Sequence, residues 1–117
     1  MFREISYSEG PSAAKRARVV VSNPTHIAVA LSYNEESKEV PKILTMGQDT
    51  IAEEIMKIAM EENIPIMRNV ELARQLYYKG KIAEYVPEDT YKAIAEILKW
   101  IKKLETVPKE LAPGLFR

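Results

Sequence analysis

The stretch Ser22-Asn23-Pro24-Thr25-His26 carries the most unusual chemistry in this 117-residue chain. It lies between two apolar runs, Val19-Val20-Val21 and Ile27-Ala28-Val29-Ala30-Leu31, and it contains the only histidine. Asn-Pro is commonly a turn signal. It is also a bond with one side reaction closed and another open. Proline has no backbone N–H, so Pro24 cannot attack the Asn23 side chain and deamidate it. The reverse attack remains. The Asn23 amide nitrogen can add to its own backbone carbonyl, close a five-membered imide and expel the Pro24 nitrogen, which cuts the chain. A residue before proline is confined to extended conformations, which narrows the search. Intramolecular attack at the right geometry gains on the order of 7–11 kcal/mol from orientation.

The neighbours can serve the same reaction. His26 has three available roles: a base on the Asn23 amide, an acid toward the Pro24 nitrogen, or a holder of Asn23 in place. Taken alone, it would read as a structural histidine at a strand start. The Thr25 hydroxyl can fix the turn, and Thr25 is equally a β-branched residue of the kind that starts strands.

Elsewhere the sequence offers little for turnover chemistry. There is no cysteine, so disulfides, thiol catalysis and thiolate metal sites are excluded. One histidine cannot make a histidine-rich metal centre. Met46-Gly47-Gln48-Asp49 is a single glycine before a helix, not a phosphate loop. Glu53 with Glu54, and Glu61 with Glu62, are adjacent on a helix and point apart, which suits no acid/base pair. No cofactor and no metal are expected. Lysine plus arginine and aspartate plus glutamate are balanced at 17 each, which argues against binding nucleic acid through bulk positive charge. With 46% apolar and 29% charged residues, the chain has the composition of one globular domain able to bury a core. No apolar run approaches the roughly 18 residues that span a membrane.

The elements that must position the site follow from pattern. Residues 17–22 and 27–33 read as two strands flanking the Asn-Pro turn. Residues 34–39 form a polar loop. Val40-Pro41 leads into a third strand, Lys42 to Met46, ended by Gly47; the proline suits a strand start or edge. Ile51, Ile55, Ile58 and Ala59 recur at helical spacing and predict a helix over 48–62, with Asn63 as its C-terminal cap. Ile64 to Met67 is a short fourth strand. Asn69 can cap a helix over 70–78. Pro87 opens the last helix from its first turn, with Tyr91, Ile94, Leu98, Ile101 and Leu104 as the apolar stripe and Trp100 as half-buried packing beside it. Strands and helices alternate, so the fold class is α/β: a small four-stranded sheet with helices packed around it. Lys15, Arg16 and Arg18 read as a solvated charge run, with contact to a membrane surface or another protein as the alternative.

Asn23-Pro24-Thr25-His26 resembles the self-cleaving motif of the FlhB/YscU family, the substrate-specificity switch proteins of flagellar and injectisome type III export. Leu72-Ala73-Arg74, leading to Leu76-Tyr77, resembles the family's Pro-Leu-Ala-Arg-x-Leu-Tyr helix, with Glu71 in place of the usual proline. The resemblance runs from about Arg18 to about Leu104. Val40-Pro41-Lys42 after a tyrosine-containing strand, and the helix from Val86-Pro87 to Leu98, lean toward the flagellar branch.

The resemblance implies that residues 1–16 are a linker from an upstream membrane part. It implies that 17–107 are a self-cleaving cytoplasmic switch domain; 108–117 read as a frayed tail. Self-cleavage happens once per chain and is not turnover. The implied place is the cytoplasmic face of the bacterial inner membrane, with a transmembrane part upstream. The implied partners are other export-apparatus proteins, secretion substrates and a length-control protein. The competing expectation is a small α/β enzyme or ligand-binding domain in which the Asn-Pro turn is purely structural.

Overall fold

The computed structural model describes residues 10–24 and 26–105. Its sheet consists of β1 (Val19–Asn23), β2 (Ile27–Ser32), β3 (Lys42–Gln48) and β4 (Ile66–Arg68). The order across the sheet is β3-β2-β1-β4. β1 and β2 are antiparallel, with Val19 opposite Leu31 and Asn23 opposite Ile27. β3 continues the antiparallel pairing on β2. β4 runs parallel to β1 on its other side. The strand that leads into the Asn-Pro turn is therefore interior, with a neighbour on each flank. Among the described residues the α-helices are α1 (Asp49–Glu61), α2 (Val70–Lys79) and α3 (Tyr91–Glu105).

Successive side chains of a strand face opposite sides of the sheet, and each side here has its own core. Val19, Val21, Ile27, Val29 and Leu31 pack with Leu72, Ala73 and Leu76 of α2 and with Ile94, Ile97 and Ile101 of α3. Val20, Ala28 and Ala30 face the other way, onto Ala52, Ile55 and Ala59 of α1. The smaller side chains on that second face let α1 lie close. Gly47 carries this furthest: a Cβ there would sit 2.1 Å from Ile51 Cγ2. The result is a sheet sandwiched between helices, as the alternating pattern predicted.

Several boundaries differ from the sequence reading, each for a local reason. Residues 10–16, expected as the end of a linker, form a short 3-10 helix whose Ala13 and Ala14 are buried, with Ala14 in the core beneath α1. Two small alanines between Ser12 and Lys15 show no apolar period, yet they fit a narrow gap. β3 passes through Gly47 to Gln48, because the glycine serves close packing and not strand termination. β4 starts at Ile66; Pro65 instead gives its carbonyl to the Val20 N–H at 3.0 Å. Pro87 precedes a 3-10 turn, Glu88–Thr90. Thr90 returns both its N–H and its hydroxyl to the Pro87 carbonyl, at 3.0 and 2.6 Å. On α3, Ile97 joins the buried stripe, whereas Tyr91 is exposed and Leu98 only partly buried.

Other local expectations hold. Asn69 Oδ1 accepts the Leu72 N–H at 3.1 Å and caps α2. Asn63 takes a left-handed φ of 58° just past α1, the conformation that ends helices and that asparagine tolerates. Trp100 packs half-buried against the core. Arg18 departs from a solvated charge run: it is only partly exposed and reaches two carboxylates, Glu35 and Glu105. The expected tail over 108–117 lies outside the described residues.

Candidate functional site

β1 ends at Asn23 and β2 begins at Ile27, which faces it across the hairpin. The residues between reverse the chain. The turn is closed by the His26 N–H donating to the Asn23 carbonyl at 2.9 Å. Asn23 and Pro24 are half-buried and His26 is exposed. Thr25 lies outside the described residues.

Both limbs of the hairpin are held from outside. The Ser22 carbonyl accepts the Asn69 N–H at 2.9 Å, and the His26 carbonyl accepts the Asp49 N–H at 3.0 Å. Asn69 is the N-cap of α2 and Asp49 is the first residue of α1. Two helix N-termini thus meet the strand ends that carry the turn. Asp49 reaches its hydrogen bond with a left-handed φ of 52°, uncommon for a non-glycine residue and tolerated best by asparagine and aspartate. Helix N-termini carry partial positive charge, which favours negative charge developing on a nearby oxygen.

This geometry has a definite chemical content. The carbonyl that Asn23 would attack already accepts a backbone hydrogen bond, and the same N–H can hold the oxygen as it becomes an oxyanion. A hydrogen bond from residue i+3 to residue i closes any ordinary β-turn. What distinguishes this one is residue i, whose own side chain carries a nucleophile one ring-closure away. His26 contributes a backbone donor whatever its imidazole does. Anchoring by Asp49 and Asn69 was not readable from the sequence. Asn69 was legible as a cap, but nothing in its residue type showed that its N–H would reach Ser22.

The second motif serves packing. Leu72, Ala73 and Leu76 are buried against the sheet, and Arg74 is exposed. Glu71 sits in the first turn of α2, where a negative charge suits the helix terminus.

A sheet sandwiched between helices, with its interior strand ending in a buttressed Asn-Pro turn, is the class that fold and site define. A family model described as the FlhB HrpN YscU SpaS family matches residues 1–101, and the chain belongs to that family. It is 40% identical over 99 residues to the flagellar biosynthetic protein FlhB of Aquifex aeolicus, covering 85% of this chain and 28% of that protein. Against the FlhB of Bacillus subtilis it is 40% identical over 101 residues, covering 86% of this chain and 28% of that protein. It therefore spans little more than a quarter of the length of these relatives. The crystal structure of the cytoplasmic domain of FlhB from Shewanella putrefaciens superposes with a TM-score of 0.75 at 30% identity, covering 83% of this chain and 80% of that one. An EscU C-terminal domain with an asparagine-to-alanine substitution gives 0.73 at 31% identity, covering 78% and 91%. Among the described residues no helix is long and apolar enough to cross a membrane.

Proposed function

We propose that this chain is the switch domain of a type III export component, of the flagellar kind, and that it cuts itself once between Asn23 and Pro24. The observation that carries the reading is the held turn, in which the His26 N–H already polarises the Asn23 carbonyl. Asn23 Nδ2 adds to the Asn23 backbone carbon, and the carbonyl oxygen takes up negative charge against that N–H. The bond to Pro24 then breaks and its electron pair goes to the proline nitrogen. That nitrogen gains the proton that the amide gives up. The products are a piece 1–23 ending in a cyclic imide and a piece 24–117 beginning with the secondary amine of Pro24. No water is consumed until the imide later opens. The chain is its own substrate, so there is no turnover.

The cut falls in a surface turn, while β1 stays in the sheet. It frees two chain ends and alters the surface offered to partners without dismantling the fold. The names of the curated relatives support the flagellar assignment. On this reading the domain works at the cytoplasmic face of the bacterial inner membrane, below a membrane part. Its partners are other export-apparatus proteins, secretion substrates and a length-control protein, and its output is which substrates leave.

A denaturing gel with mass spectrometry of the purified protein tests the chemistry. Two bands, with the small piece one water lighter than a hydrolysed asparagine terminus in early samples, support it. A new amino terminus anywhere other than Pro24 defeats the mechanism, and a permanently single band returns the turn to a purely structural role. His26→Ala keeps the backbone donor and is expected to slow the cut without unfolding the domain. A normal rate would remove the imidazole from the mechanism.

A further inference from the structure

A groove lies at the other end of the sheet from the turn, between the β2–β3 loop and α3. Its two adjoining hollows measure about 300 and 230 Å³ and share Tyr33, Lys38, Ala95 and Leu98. One wall is the loop, represented by Tyr33, Glu35 and Lys38; the facing wall is α3, through Leu98, Lys99 and Lys102. Arg18 lies beside the groove and pairs with Glu35 of the loop wall and with Glu105, which follows Lys102 by about one turn on α3. It immediately precedes β1, and its N–H donates to the Leu31 carbonyl at 2.7 Å. Its guanidinium Nη2 lies 3.6 Å from Glu35 on the loop, and the same nitrogen pairs closely with Glu105, the last residue of α3. The Arg18 side chain is 23% exposed, against about half for each carboxylate.

We infer that Arg18 is a clamp that ties the segment upstream of the cut to both walls of this groove, so that the groove keeps its width only while that segment is seated. The charge arrangement gives the reason. One nitrogen lies within ion-pair reach of both carboxylates, so Glu35 and Glu105 are close to each other. With the guanidinium present they are bridged; without it they are two like charges that repel, tempered by Lys38, Lys99 and Lys102 along the groove, and the walls they stand on loosen. The far end of the loop has its own attachment, the Tyr85 hydroxyl donating to Glu39 at 3.3 Å. Spreading is therefore confined to the end near Glu35. Cleavage at Asn23 would place Arg18 on one piece and both carboxylates on the other. The clamp would then be the link through which loss of the small piece is felt at the groove. That second half rests on the proposed cut; the clamp itself does not.

The test uses hydrogen exchange read by mass spectrometry, with Asn23→Ala as the background so that the chain stays whole. Adding Arg18→Gln should speed exchange about two- to five-fold, the range of a partly exposed ion pair, in residues 33–38 and the last turn of α3, leaving β1 and β2 unchanged. Arg18→Lys should restore part of the protection. High salt should weaken the original clamp. The decisive variant adds Glu35→Gln to Arg18→Gln. Removing the repulsion should return exchange toward the starting level, which loss of simple packing would not do. Unchanged exchange at both walls after Arg18→Gln, or no recovery with Glu35→Gln, overturns the clamp. If wild-type protein never splits, the cleavage reading fails while these measurements still decide the clamp. If it does split, Arg18→Gln should raise the release rate of the small piece in moderate denaturant by a similar factor; an unchanged rate would sink its role across the cut.

Discussion

The two ends of the sheet are fastened in different ways. At the turn, Ser22 and His26 are held by backbone hydrogen bonds from Asn69 and Asp49. At the groove, Arg18, Glu35 and Glu105 hold loop and helix by side-chain charge. The ends lie roughly 20 Å apart along the six residues of β2. Backbone bonds fix geometry and are insensitive to salt, which suits a reaction needing one carbonyl in one place. Charge pairs at a partly exposed site are weak and adjustable, which suits the clamp proposed there. β1 joins the two, with the proposed cut at one tip and Arg18 at the other.

That contrast can be broken at several strengths. Asn23→Ala has the largest expected effect, because it removes the nucleophile: no cut on a denaturing gel, from a chain that remains folded. Pro24→Ala restores an N–H and should slow the cut strongly or stop it. Normal cutting by folded Asn23→Ala would discard the turn chemistry entirely. Next comes the core that joins the ends. Leu76 is fully buried between α2 and the sheet, and Leu76→Ala should cost about 2–5 kcal/mol in denaturant unfolding of the uncut chain.

Asn69→Ala is a smaller perturbation aimed at the turn end. Loss of the α2 cap should cost about 1 kcal/mol and slow the cut as the Ser22 anchor loosens. A stability loss with no change in rate would show that the anchor does not position the reaction. The smallest effect is expected from Lys79→Ala. The Lys79–Asp89 pair is half-exposed on both sides at 2.6 Å, and its removal should change unfolding by less than about 0.5 kcal/mol. A larger loss would mean that exposed charge pairs matter more in this fold than at the groove end alone.

The sequence carried the elements better than their joins. Three- and four-residue spacing exposed α1 and most of the α3 stripe, and Asn69 declared itself as a cap. Gly47 misled, because a glycine in a strand looks the same whether it ends the strand or lets a helix approach. Ala13 and Ala14 were invisible, since a lone alanine pair carries no periodic signal until a gap of its size exists. The proposed Asn-Pro chemistry could be argued from sequence because it is local, one residue set against its own carbonyl. The buttresses at Asp49 and Asn69, and the meeting of Arg18 with Glu35 and Glu105, were not. They join residues as far as 87 positions apart, and only the strand order β3-β2-β1-β4 brings them together.

The interior place of β1 has one more consequence. A covalently continuous strand is always present at a high effective concentration beside its neighbours, of millimolar order for a short connection. If the proposed cut removes the bond after Asn23, the same strand becomes a ligand with a dissociation constant, and the sheet becomes its receptor. The domain would then have a stability that depends on dilution, as any complex does. Its two unpaired flanks, exposed together whenever β1 is absent, could be filled by another strand of suitable register.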